Sequence, residues 1–161
     1  MVKHKLPPVI ILDGGANALS IARSLGRSGV KVFAISEPTS HVRYSRYCQW
    51  IPLPHDGNLE ESWTRYLLGP ESDALGGSVL LTGSDAGIEY IAHHRAALAR
   101  RFRLDDSNQQ AQLCMLNKLS TYQSAAEAGV PTPKFWRAET REQVMQIKES
   151  LVFPLIVKPL Y

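Results

Sequence analysis

The chain has 161 residues, the size of one ordinary domain or of one domain with part of a second. Hydrophobic residues make up 44% of it and charged residues 20%, which excludes disordered and fibrous proteins. The formal net charge of +3 is too small to demand a nucleic-acid partner. Two cysteines, Cys48 and Cys114, are too few for a disulfide scaffold and lack metal-ligand spacing, so we expect buried thiols in a reducing compartment.

The N-terminus carries Lys3 and Lys5 ahead of an apolar stretch, as a signal peptide does. That stretch covers only residues 9–12 and ends at Asp13, so it is too short for the hydrophobic region of a signal peptide. No apolar run approaches the roughly 18–20 residues that a membrane span requires. We therefore expect a cytoplasmic protein without a membrane partner.

Strands and helices alternate through roughly residues 7–105. Short apolar runs predict four strands, at residues 8–12, 31–36, 48–54 and 78–83. Apolar residues at helical spacing predict helices after the first, third and fourth strands, the first of them capped by Asn17 and ended by Gly29. This order predicts an α/β fold, a Rossmann-like doubly wound parallel sheet with helices on both faces.

The pattern changes after residue 106, so we divide the chain into regions 1–106 and 107–161. In the second region we expect a polar helix over 107–129, and then a rigid proline connector. A capping box that starts at Thr140 predicts another helix. Apolar runs predict two further strands, at residues 133–138 and 154–159.

The turn Asp13-Gly14-Gly15 joins the first strand to its helix and could bind a phosphate through N–H groups and the helix dipole. Glu37 ends the second strand, near where a dinucleotide-binding fold places its ribose-binding acid. The fingerprint of that fold is broken, because Asp13 stands where its first glycine is expected. Contact of Gly14 and Gly15 with a nucleotide or substrate and a plain strand-to-helix turn both remain open.

Asp85 follows the fourth strand, at the edge of the sheet where open α/β folds collect their ligands. It is a candidate for substrate contact, and the alternative is that Ser84 or Asp85 only caps the next helix. A basic cluster follows, with His93, His94 and Arg95 and then three further arginines between residues 100 and 103. Cations at a helix end complement the helix dipole, so we interpret this cluster as a solvated helix end and expect no nucleic-acid partner.

Two lysines of the second region are candidates for binding an anion. Lys118 begins a predicted helix, and Lys158 interrupts the apolar run 154–159. A lysine in such a strand needs an anion or access to water. From the residues alone, a solvent-reaching lysine on an edge strand and a phosphate-binding lysine are equally consistent with Lys158.

The segment LNKLSTYQSAAEAGVPTPKFW, the helix after it and FPLIVKP together resemble the beginning of an ATP-grasp domain. Biotin carboxylase, carbamoyl-phosphate synthetase and D-alanine ligase-type enzymes have a similar run. The upstream segments NALSIARSLGRSGVKVFAIS and RYSRYCQWIPLP resemble uncharacterised carboxylate–amine ligases of the same superfamily. The resemblance implies a pre-ATP-grasp domain over 1–106 and the truncated start of an ATP-grasp domain over 107–161. It implies an N-terminal fragment, because the lid loop and metal ligands would follow Tyr161.

The resemblance also implies an activity. ATP phosphorylates a carboxylate in such ligases, and an amine or a thiol then attacks the acyl phosphate. Lys118 and Lys158 match the lysines that contact the ATP phosphates, while Gly14, Gly15 and Asp85 are candidates for substrate binding. Mg²⁺ is implied with ligands beyond Tyr161, so no metal ligand and no catalytic residue is assigned within this chain.

The expected partners are small-molecule carboxylate and amine substrates, and a homo-oligomer is compatible with the sequence. We expect the 161-residue chain to be inactive alone. Two alternatives stay open, a dinucleotide-binding oxidoreductase module and a non-catalytic regulatory domain of Rossmann type. The first would need the glycine turn to hold a pyrophosphate and Glu37 to hold a ribose.

Overall fold

The structure is a computed structural model that describes residues 6–54 and 57–158. Four parallel strands form one sheet in the order β3-β2-β1-β4. Their bounds are β1 Val9–Leu12, β2 Val32–Ser36, β3 Gln49–Pro52 and β4 Val79–Thr82. Every residue of β1 and β2 is buried, which explains why both strands are apolar, apart from Ser36 at the end of β2.

Six α-helices lie within the described residues. They are α1 Ala16–Arg27, α2 Leu59–Leu68, α3 Asp85–Leu98, α4 Gln109–Leu116, α5 Lys118–Glu127 and α6 Arg141–Ile147. Short 3-10 helices cover His41–Tyr44, Pro70–Leu75 and Lys148–Ser150. None of the helices in this part of the chain is long and apolar enough to cross a membrane.

The sheet carries a hydrophobic core on each face, because alternate residues of a strand point to opposite sides. On one face, side chains of β1 and β2 pack with those of α2 and α3, among them Ile10, Ile35, Trp63, Leu67, Tyr90 and Ile91. On the other face they pack with α1 and the first 3-10 helix, among them Ile11, Ala34, Ala18, Ala22 and Val42. The predicted doubly wound α/β fold is therefore confirmed.

The chain divides into two compact units, the first ending at Gln112 and the second starting at Leu113. Both cores belong to the first unit. In the second unit no described residue is buried, and Ile156 and Val157 are 82% and 95% exposed. The second unit therefore gains little from the burial of apolar surface.

Two helix predictions need correction. Gly15, and not Asn17, is the N-cap residue of α1, and the Asn17 side chain instead donates a hydrogen bond to the Gly83 carbonyl. The single helix predicted over 107–129 is two helices, divided at Asn117. The Asn117 side chain accepts a hydrogen bond from the Ser120 N–H and so starts α5 anew, because asparagine competes for backbone N–H groups.

The strands predicted at 133–138 and 154–159 are wrong over the residues that the structure describes, and Pro159 lies outside them. A strand needs a neighbouring strand to accept its backbone hydrogen bonds, and no described strand pairs with either segment. Phe135 instead stacks on Tyr122 of α5 with ring centroids 5.3 Å apart. Apolar sequence alone therefore did not suffice to form these strands.

Candidate functional site

Two turns meet at the carboxyl edge of the sheet. Leu12 and Thr82 are partners in the register of β1 and β4, so the turns that follow them start side by side. Asn17, in the first turn of α1, donates a hydrogen bond of 2.8 Å to the Gly83 carbonyl, and the Thr82 hydroxyl lies 3.3 Å from the Leu12 carbonyl oxygen. The turns that carry the candidate substrate residues Gly14, Gly15 and Asp85 are thus brought together.

Gly14 is fixed by the protein's own packing. A β-carbon at Gly14 would lie 2.2 Å from Ser40 Cβ and 2.8 Å from Ser36 Oγ, so only glycine fits there. The Gly14 carbonyl also accepts a hydrogen bond of 3.2 Å from the Val42 N–H. The need for glycine at this position is explained by the segment after β2, without any ligand.

Asp13 adopts the conformation that the fingerprint reserves for glycine. Its φ of 79° lies in the left-handed region, and its carboxylate accepts a hydrogen bond from the Gly14 N–H. Aspartate tolerates this region better than most residues because its short polar side chain can bond locally. A sequence comparison that asks for glycine here misses this possibility.

Gly15 stands in open space. A β-carbon there would find only Asp13 Oδ2, at 3.7 Å, and no side chain accepts a hydrogen bond from the first turn of α1. In α3, by contrast, the Ser84 hydroxyl accepts a hydrogen bond of 3.2 Å from the Gly87 N–H, so Ser84 is the cap and Asp85 is the exposed first residue of the helix.

Lys118 and Lys158 both lie in the second unit and both are exposed. Lys118 is the first residue of α5, and Lys158 is the last described residue of the chain. Within the described ranges, no ion pair involves either ammonium group. The apolar strand that was expected to surround Lys158 is not formed.

Two arginines of the basic cluster, one in the last turn of α3 and one after it, form ion pairs within the first unit. Arg95 forms an ion pair of 2.5 Å with Asp105. Arg101 pairs with Asp73 and donates hydrogen bonds to two carbonyls at the end of α2. These contacts give Arg95 and Arg101 a structural role between neighbouring elements.

The sequence analysis did not identify a second group of arginines, which lies against aromatic rings in the first unit. Arg43 lies over the rings of Tyr44 and Trp50, with its guanidinium carbon 4.6 and 5.6 Å from the ring centroids. The signal was present in the sequence, since residues 38–55 contain arginines and aromatic residues but no aspartate or glutamate.

Further along the same segment, Arg46 and Arg27 lie over the ring of Tyr47. Hydrogen bonds from Arg46 and then Arg27 lower the pKa of the Tyr47 hydroxyl. Burial raises the pKa of the neighbouring Cys48 thiol. Cys48 and Cys114 are both free and only partly buried, so the expectation of buried thiols holds only in part.

Metal binding finds no support in the described part of the chain. No group of three or more histidine, cysteine, aspartate or glutamate side chains is placed there so that it could hold an ion.

Among the solved structures with a similar fold are a ligase and two synthetases. An L-amino acid ligase from Bacillus licheniformis matches 98% of this chain with a TM-score of 0.69 and 20% identity. The ADP complex of PurK, an N5-carboxyaminoimidazole ribonucleotide synthetase, matches 95% with a TM-score of 0.66 and 14% identity. The corresponding synthetase from Thermus thermophilus matches 91% with a TM-score of 0.59 and 14% identity.

These similarities show that the chain shares its fold with part of each of these ligase and synthetase chains. The chain covers only 38%, 38% and 37% of the three matched chains. No protein-family profile and no curated protein matches the sequence.

Proposed function

We propose that the chain is the N-terminal part of an ATP-dependent carboxylate–amine or carboxylate–thiol ligase. The observation that carries the proposal is the similarity of nearly the whole chain to part of an L-amino acid ligase. Shared fold alone permits many activities, so the proposal also depends on whether the residues of the chain suit the chemistry.

The proposed reaction has two steps. A carboxylate oxygen attacks the γ-phosphorus of ATP, the bond to the β-phosphate oxygen breaks, and ADP leaves. The amine or thiol then attacks the carbonyl carbon of the acyl phosphate, and phosphate leaves with the electron pair of the carbon–oxygen bond. Both steps spread negative charge over phosphoryl oxygens, so fixed positive charges near those oxygens accelerate them.

Lys118 and Lys158 suit the role of phosphate contacts. Their ammonium groups have no carboxylate partner among the described residues, so they are available to an anion. Lys118 lies in the first turn of α5, which contains no acidic residue, and the helix dipole disfavours a cation there. A bound phosphate would offset this unfavourable placement.

The substrate is assigned to the carboxyl edge of the first unit. Gly14 and Gly15 bring the backbone to the start of α1, where first-turn N–H groups favour an anionic group. The exposed carboxylate of Asp85 begins the neighbouring α3 and suits a cationic amine. An amino acid presents both kinds of charge, which makes this class of substrate compatible with the edge.

Magnesium does not fit the described residues, since none of their carboxylates and imidazoles are grouped as ligands. We assign no step to it here. The proposal includes small-molecule partners, a cytoplasmic location and no partner of nucleic acid or membrane, in keeping with the mild net charge. A homo-oligomer remains compatible with it.

The test uses the longer protein that contains this chain and measures ADP release with a panel of amino acids. Lys158→Met and Lys118→Met should each lower kcat/KM for ATP by roughly 10- to 150-fold, because one charge-assisted phosphate contact contributes about 1.5–3 kcal/mol. Lys134→Met is the matched control, since Lys134 is an exposed lysine of the same unit.

Unchanged kinetics in folded Lys118→Met and Lys158→Met proteins would contradict the assignment of the lysines. A titration with NAD and with ATP separates the dinucleotide alternative from the proposal. Saturable binding of NAD without binding of ATP would favour the oxidoreductase module, and binding of neither would favour a regulatory domain.

A further inference from the structure

Arg43 is held in place on several sides. Its guanidinium lies 4.6 Å from the Tyr44 ring centroid and 5.6 Å from that of Trp50, and one of its N–H groups donates to the Pro38 carbonyl. Stacking on aromatic rings and a fixed hydrogen bond orient the planar group before any ligand arrives. Because a guanidinium has five N–H donors, most of them remain for another acceptor.

Arg43 forms no ion pair with any residue that the structure describes. No carboxylate within the described ranges forms an ion pair with it, and residues 38–55 contain no aspartate or glutamate. Arg95 and Arg101 of the same unit have such partners, in Asp105 and Asp73. Arg43 therefore differs from the arginines that tie the fold together.

The position of the guanidinium is also informative. Pro38, its acceptor, follows β2 by two residues, so the contact lies at the carboxyl end of that strand. The Trp50 indole N–H, on the ring beneath Arg43, donates to Ser36 Oγ at 3.1 Å. Ser36 Oγ in turn adjoins Gly14, which connects the stacked arginine to the glycine turn at the carboxyl edge.

We propose that Arg43 is an oxyanion-binding residue and that it recognises the carboxylate or phosphate group of a small molecule at this edge. A carboxylate and a phosphate each present two neighbouring oxygen atoms, and these can accept hydrogen bonds from two N–H groups of one guanidinium. Tyr44, 77% exposed beside it, offers a ring on which a planar or apolar part of the ligand stacks. The inference goes beyond the proposed function, because it requires neither ATP binding nor turnover.

The experiment is an NMR titration of the full chain, following the Nε–H resonance of Arg43. Sodium phosphate and sodium acetate are the probes, and sodium chloride at equal ionic strength is the reference. We expect a saturable shift of this resonance with one or both probes. A response to phosphate alone assigns a phosphoryl ligand, a response to acetate alone assigns a carboxylate, and a response to neither overturns the proposal.

Two variants distinguish binding of the anion at Arg43 from a non-specific effect of the protein's positive charge. Arg43→Met should weaken binding of the active probe at least about tenfold, which corresponds to the loss of about 1.4 kcal/mol from a charge-assisted contact. Arg23→Met removes the same charge from the exposed surface of α1 and should change binding less than twofold. Equal weakening by both variants would overturn the proposal. If Arg43→Met does not fold, the titration of the wild-type chain still decides whether Arg43 binds an oxyanion.

Discussion

Gly14 and Gly15 are neighbours in one turn, yet the space around them differs. Gly14 faces the Ser36 and Ser40 side chains at distances that no β-carbon tolerates. Gly15 faces open space, and a β-carbon there meets nothing closer than 3.7 Å. The first glycine therefore serves folding, whereas the second leaves room for a ligand to approach the backbone at the start of α1.

Substituting these glycines separates the two roles. Gly14→Ala should lower the free energy of unfolding by about 1–3 kcal/mol, since the added methyl group overpacks against Ser40. Gly15→Ala should change it by less than about 1 kcal/mol, because its φ of −71° suits alanine. Urea unfolding of the 161-residue chain measures both. Ser40→Gly should recover part of the loss in the Gly14→Ala background, and equal losses in both single variants would contradict this account.

At this scale the sequence predicted where the turns after the strands lie better than it predicted the contacts within them. The glycine turn and Asp85 were placed from strand ends, which apolar runs mark clearly. The left-handed Asp13 and the Asn17–Gly83 hydrogen bond depend on tertiary neighbours, so local pattern could not reveal them. The stacking of Arg43 on Trp50 joins residues that only the fold brings together.

At the scale of elements, Arg101 connects the end of α3 to the end of α2. Its guanidinium donates to the Leu68 carbonyl at 2.9 Å and the Gly69 carbonyl at 3.0 Å, and it pairs with Asp73. The last carbonyls of a helix lack partners within the helix, so an arginine that reaches them satisfies groups that would otherwise need water.

Removing this arginine should weaken the packing of the two helix ends. Arg101→Met should lower the free energy of unfolding by about 1–3 kcal/mol, because it loses charge-assisted hydrogen bonds while methionine keeps an apolar stem. Arg100→Met, at the exposed neighbouring position, should change it by less than about 0.5 kcal/mol. Thermal unfolding of both proteins measures the difference. A loss in Arg100→Met as large as in Arg101→Met would show that net charge, and not capping, is responsible.

Element predictions succeeded where burial supports them. The four strands of the sheet and α1, α2 and α3 contribute side chains to two cores. The strands expected at 133–138 and 154–159 have no strand partner in the described chain, and a β-ladder cannot form from one segment. The apolar pattern of a segment indicates its tendency to form a strand. Whether the strand forms depends on a second strand that lies beside it and accepts its backbone hydrogen bonds.

At the scale of the whole molecule, the residues proposed for ATP and for substrate belong to different units. Lys118 and Lys158 lie in the second unit, and Gly14, Gly15 and Asp85 lie in the first. Phosphoryl transfer requires a site that holds all the reacting groups, and the chain covers only 38% of the L-amino acid ligase chain that it matches. The described residues also contain no group that could hold a metal ion.

The 161-residue chain alone should therefore release no ADP from ATP above the buffer background. The measurement is a coupled assay of the purified chain, with and without an amino-acid panel. A variant that carries both Lys118→Met and Lys158→Met controls for a contaminating ATPase, which the double substitution cannot affect. ADP release that disappears in the double variant would show that the chain is catalytic by itself.

The second unit contains helices but no buried described residue. Backbone hydrogen bonds that are not covered by a core open at low free-energy cost, so their amides exchange quickly. Amides of α5 and α6 should exchange at least about 100-fold faster than those of β1 and β4, whose residues Ile10, Ile11 and Leu80 lie in the core. The comparison belongs at low protein concentration, because the exposed Phe153, Ile156 and Val157 can associate between molecules. Protection in α5 equal to that in β1 under these conditions would mean that the second unit is stabilised by something other than a core of its own.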